Sequence, residues 1–398
     1  MKPGPREICP HSPDIPLFGS RPSRPAIHTS TAYLCESPTE ADERLAGTKP
    51  GFVYQRDGHP NAITLAEKCR ILHGEKAAKA VVTSSGMSAT TLALVSQLKS
   101  GDHVLLSNRL YGKTVVLVEH ELTRFGIEFS VADFCDLENV AANIRSNTRM
   151  LVIETISNPK LRVINQTKLA ELARSNGCLL LVDNTFASPI VCRPLDWGAD
   201  LVVESLTKIM NGHGDITMGL LCGTDETWER VPSALASWGM TTGPFDCWLT
   251  ERGVSTLYLR MSAAAKSAKQ LATQFAQHKL VRDVAYPGLE THPDRGISES
   301  HFCSVEGETC FGNMITIEVA NGIAGAARFM QAVEAIPYCP SLGELATTLS
   351  HPCSSSHRNL NDQQLAQLGI SGGTIRLSIG LESPEYIAAA IEQSLSAV

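Results

Sequence analysis

The sequence predicts an α/β protein whose large domain carries a mostly parallel, seven-stranded sheet covered by helices, with a smaller α+β domain after it. Two observations carry this. Seven short apolar runs, at 80–83, 103–107, 127–131, 150–154, 178–183, 201–204 and 218–222, are continuous rather than alternating. Strands of that kind are buried on both faces, as in parallel sheets. Helix-compatible segments such as 168–175 separate most of the runs, which is the βα alternation of a layered α/β fold.

Taken in order, residues 1–60 are rich in Pro and Gly with little periodicity, and predict an extended arm running over a surface. Residues 61–245 hold the seven runs and form the large domain. A helix-compatible stretch from about 246 to 278 then opens a C-terminal domain of residues 246–398. Past Tyr286-Pro287-Gly288, strand-like runs at 314–319 and 375–381 flank helical stretches and a Ser/His-rich loop.

At 398 residues, with 43% hydrophobic and 19% charged side chains, the chain can bury a sizeable core. A net charge of −7 without clustered Lys and Arg argues against nucleic acid or an anionic membrane surface as partner. No apolar run is long enough to cross a bilayer. Met1-Lys2-Pro3-Gly4-Pro5 leads into no apolar segment and does not read as a signal peptide. The twelve cysteines are scattered from Cys9 to Cys353 without a CxxC, which suits small buried side chains in a reducing, cytoplasmic setting. The histidines show no ligand spacing; His351 and His357 share a loop, and no metal is expected.

Four constellations carry chemistry. Ser205-Leu206-Thr207-Lys208 follows an apolar run that closes on Asp183. A lysine there can condense with the aldehyde of pyridoxal phosphate, hydroxyls at its −1 and −3 positions can bind the phosphate, and the aspartate can keep a pyridine nitrogen protonated. Ser85-Gly86-Met87 sits between a short strand and an apolar helix, where backbone N–H groups face an anion; an ordinary serine cap reads the same in isolation. Tyr111 stands at a strand-to-helix transition, suited to stacking on a ring or to structural burial. Arg376 interrupts an apolar strand-like run, so its guanidinium needs either a substrate carboxylate or an internal acid.

Together these residues resemble the Cys/Met-metabolism family of fold-type I pyridoxal phosphate enzymes, over nearly the whole chain and in the expected order. Tyr54-Gln55-Arg56 is similar to an arm motif reaching the neighbouring subunit's phosphate. Ser85-Gly86-Met87 resembles the phosphate loop and Tyr111-Gly112 the ring-stacking tyrosine. Glu154–Pro159 resembles a motif whose asparagine, here Asn158, lies near the cofactor's ring oxygen. Asp183, Ser205, Thr207 and Lys208 complete the cofactor set, while Ser341-Leu342-Gly343 and the strand bearing Arg376 resemble the α-carboxylate site. The resemblance implies covalent pyridoxal 5′-phosphate on Lys208, and Lys208 and Tyr111 as catalytic groups. It also implies Arg376, Ser341 and Asn158 as substrate contacts, and a homotetramer built as a dimer of dimers with shared active sites.

It further implies γ-elimination or γ-replacement on cystathionine or an activated homoserine, with methionine γ-lyase or O-acetylhomoserine sulfhydrylase as the alternative. An aminotransferase or a non-catalytic homologue is a remoter one. Several positions depart from the family. Val116 falls where cystathionine enzymes often carry arginine, and Lys113 is a candidate replacement contact for a distal charge. Glu204 stands where many members have histidine, His59 departs in the arm, and Ala346 takes the place of a glutamate.

Overall fold

The computed structural model describes residues 23–398. The N-terminal pentapeptide and Cys9 lie outside the described residues. The large sheet contains β1 (Lys79–Thr83), β2 (His103–Ser107), β3 (Glu128–Ala132), β4 (Thr148–Glu154), β5 (Leu179–Asp183), β6 (Leu201–Ser205) and β7 (Gly219–Gly223), in the order β1-β7-β6-β5-β4-β2-β3. Neighbours from β3 to β6 pair in parallel, and β7 alone runs against both β6 and β1. One face packs a core containing Leu65, Val182, Val202 and Ala268, and the other a core containing Ala89, Leu106, Leu181 and Val203. That division is the two-sided burial the continuous apolar runs require.

The C-terminal domain adds β8 (Val281–Ala285), a hairpin of β9 (Ser304–Val305) and β10 (Glu308–Thr309), then β11 (Met314–Val319), β12 (Thr348–Ser350) and β13 (Thr374–Ser378). Four of these form an antiparallel sheet in the order β12-β13-β11-β8. The helices Gly322–Ala332 and Pro384–Leu395 contribute Phe329, Ile387 and Ile391 to the common core.

Two expectations change. The helical stretch from 246 to 278 is two helices, Pro244–Val254 and Leu257–Phe275. The Arg260 guanidinium and the Thr256 side chain both donate to the Gly253 carbonyl, drawing it out of a continuous helical ladder. The arm is not extended throughout: Pro38–Leu45 is a helix, with the Ser37 side chain accepting from the Glu40 N–H and Pro38 in its first turn. Elsewhere the arm crosses the starts of two helices, where His28 N donates to Asn61 and Trp248 Nε1 donates to the Pro25 carbonyl. Among the described residues, no helix is long and apolar enough to cross a membrane, and no cluster of three potential metal ligands occurs.

Candidate active site

A cavity of about 290 Å³ opens beyond the C-terminal ends of β4, β5 and β6, the edge at which parallel sheets present their loops. Glu154, Asp183 and Ser205 end those strands and line it, together with Ser85, Gly86, Met87, Tyr111, Asn158, Thr207, Lys208, Ser341 and Arg376. Eleven of the fourteen residues expected at the site therefore meet in one place. The exceptions are Lys113 and the two arm residues, Tyr54 and Arg56, which do not line this cavity.

The phosphate end is built from helix Gly86–Gln97. Ser85 caps it, its side chain accepting from the Ser88 N–H at 3.0 Å, so the first backbone N–H groups face the cavity. Gly86 is required there because a Cβ would lie 2.8 Å from the Ser205 Cβ. Thr207 is anchored to the end of β7, donating to the Met218 carbonyl and accepting from the Met218 N–H at 3.0 Å. Ser205 N donates to Thr185 Oγ1, and Thr185 N donates to Asp183 Oδ1 at 3.0 Å. Burial pushes the Asp183 carboxyl up to about 6.

Lys208 Nζ donates to Ser341 Oγ at 2.8 Å. Burial, and then the Arg376 charge, lower its affinity for a proton, favouring the neutral nucleophilic amine. Arg376 donates to Asn158 Oδ1 and to the Ser341 carbonyl, both at 2.9 Å, and its guanidinium carbon lies 5.6 Å from the Phe186 ring centroid. Its Nε has no partner, and burial lowers its pKa to about 10. Among the described residues no carboxylate contacts it directly, which leaves the guanidinium able to pair with an external one. These donors, the amine and the buried acid fit a cofactor with a phosphate at one end and a basic ring nitrogen at another.

Tyr111 is half exposed, and its backbone N–H donates to Glu154 Oε1. Nothing in the sequence singles out the Glu154 side chain itself; burial first, then the Asp183 charge, hold its carboxyl well above the usual range. Ser355 and Ser356 also line the cavity, from the loop noticed only for its histidines. Neighbouring His357 shares a hydrogen bond with Ser356 Oγ at 2.8 Å, and burial followed by the Arg376 charge lowers it to about 4. Lys113 is exposed and outside the cavity walls. The Arg56 guanidinium lies 5.4 Å from the Tyr54 ring centroid, on this chain's own arm.

Two departures have visible partners. His59 caps helix Pro60–Leu72, accepting from the Ala62 N–H. Beside Ala346, Thr347 donates through both its N–H and its hydroxyl to Glu382.

The family model described as "Cys/Met metabolism PLP-dependent enzyme" matches residues 18–396. The chain is 36% identical to an L-methionine gamma-lyase of Fusobacterium nucleatum subsp. polymorphum, covering 96% of this chain and 95% of the relative. It is 34% identical to an O-succinylhomoserine sulfhydrylase of Pseudomonas aeruginosa, covering 94% and 91%. Among solved structures, cystathionine gamma synthase from Xanthomonas oryzae pv. oryzae in complex with cystathionine matches with a TM-score of 0.87 at 32% identity, over 94% of this chain and 93% of that one.

Proposed function

The chain belongs to the Cys/Met metabolism PLP-dependent enzymes, and within that family we propose that it performs γ-elimination or γ-replacement on a sulfur amino acid or activated homoserine whose γ-substituent is uncharged. The observation that carries the finer reading is the charge inventory of the cavity. Among the described residues, Lys208 and Arg376 are the cationic side chains of its walls; the first would hold the cofactor and the second would take the α-carboxylate. Neither is left for a distal carboxylate, Lys113 lies outside, and the remaining distal groups are Tyr111, Thr114, Ser355 and Ser356.

When bound, pyridoxal phosphate withdraws electrons from the α-carbon of an attached amino acid. Ser85, Gly86, Met87, Ser205 and Thr207 would hold its phosphate, Asp183 its ring nitrogen and Asn158 its ring oxygen. Arg376 and Ser341 orient the substrate by its α-carboxylate. Lys208 moves protons between Cα and neighbouring carbons, and Tyr111 gives a proton to the departing group.

A second reading, in which cystathionine is the substrate, is favoured by the likeness to the cystathionine complex. It requires the partner subunit's arm to supply the missing cation. Comparing kcat/KM for methionine and O-acetylhomoserine with that for cystathionine and O-succinylhomoserine separates the two. Preference for the first pair supports the uncharged-substituent reading. Preference for the second, abolished in Arg56→Ala, contradicts it.

A further inference from the structure

Glu204 and His73 form a buried acid–base contact that the chemistry above leaves unused. His73 caps the C-terminus of helix Pro60–Leu72, and Glu204 precedes the last residue of β6. Both side chains are fully buried, with His73 Nε2 lying 3.2 Å from Glu204 Oε1. The contact is not aligned as a hydrogen bond: both ring nitrogens and Glu204 Oε2 lack partners. Polar groups so placed are costly unless the arrangement serves something else.

Side chains alternate along a strand. Val202 packs in the core with Leu65 and Cys69, whereas Val203 packs in the core with Ala89, so Glu204 belongs to the first face and Ser205 to the second. The same alternation along β5, with Leu180 and Val182 in the first core and Leu181 in the second, continues past its end to separate Asn184 from Asp183. Behind the cavity a ladder results. Thr155 Oγ1 donates to Asn184 Oδ1 at 2.7 Å, and Asn184 Nδ2 donates to Glu204 Oε1 at 2.9 Å. Each rung lies at or next to the cavity wall in the chain: Thr155 follows Glu154, Asn184 follows Asp183, and Glu204, itself part of the wall, precedes Ser205.

We propose that His73 and Glu204 are a positioning pair for the cofactor site, closing a Thr155–Asn184–Glu204 ladder that sets the spacing of the strand ends carrying Glu154, Asp183 and Ser205. The ionisable groups facing Glu204 are His73, Asp183 and the thiols of Cys69 and Cys222, both pushed up chiefly by burial. After burial, the Glu204 charge also contributes to raising the Asp183 carboxyl. The pair needs one acid and one base, in either order.

The test is the dissociation constant for pyridoxal phosphate, measured by equilibrium dialysis on cofactor-stripped protein, alongside the melting temperature. Glu204→Leu and His73→Leu should each weaken binding about tenfold or more, and Glu204→Gln only about threefold because its amide oxygen still accepts from Asn184. The exchanged variant His73→Glu/Glu204→His should return to within about threefold of the parent. Folded single variants that melt lower yet bind the cofactor normally would reduce the pair to core packing and overturn the proposal. An exchanged variant that binds no better than the singles, or does not fold, overturns it as well. No substrate enters the measurement, so its outcome is independent of the γ-carbon reading.

Discussion

Arg376 shows what a single residue disclosed in advance and what it withheld. A guanidinium inside the run Thr374–Ser378 signalled a buried receptor, but its partner could have been an internal acid. The structure gives it neutral oxygens from Asn158 and Ser341, residues distant in sequence, which no local pattern reveals. Lys208 and Asp183 were legible because their chemistry demands a short local motif. Ser355 and Ser356 were not, since a serine-rich loop looks alike whether it faces solvent or a cavity. His357 yields a pH prediction at this scale. Its folded pKa of about 4 lies below the ordinary 6.5, so its contribution to stability is present above pH 6.5 and lost as pH falls through about 4. Between those limits the parent should lose up to about 3 kcal/mol relative to His357→Gln. Urea unfolding of both proteins across that range checks it, and parallel pH profiles would contradict it.

At the scale of elements, the central strands were readable because burial on both faces leaves an unbroken apolar run. β8 and β12 were not, for they are the edges of the small sheet: one contains Arg282 and Asp283, and the other spans only three residues. Edge strands tolerate charge and shortness, which removes the pattern. The break between Pro244–Val254 and Leu257–Phe275 was hidden because the contact at it, from the Arg260 guanidinium back to the Gly253 carbonyl, leaves no mark on the apolar pattern. The segment Ser341-Leu342-Gly343 joins the two sheets at the site. Gly343 has φ +78°, its N–H donates to Ser378 Oγ, and a Cβ would lie 2.5 Å from the Ile209 N beside Lys208. Gly343→Ala should therefore cost roughly 2–4 kcal/mol and loosen the cofactor. A melting temperature and cofactor retention equal to the parent's would refute that.

At the scale of the whole molecule, the cavity gathers its walls from both sheets, while Tyr54 and Arg56 lie on an arm outside it. If those residues complete a neighbour's site, Lys208→Ala and Arg56→Ala proteins, each inactive alone, should regain roughly a quarter of parental activity when randomly mixed. Mixing without recovery would place the arm elsewhere. The central claim concerns the γ-carbon, and the keto acid released in heavy water tests it most directly. From methionine the account predicts 2-oxobutyrate carrying deuterium at the former β-carbon, because breaking the γ-bond requires a proton to leave Cβ. Pyruvate from cystathionine would instead mark cleavage at Cβ, and a 2-oxo acid retaining its sulfur would mark transamination; either result would contradict the account.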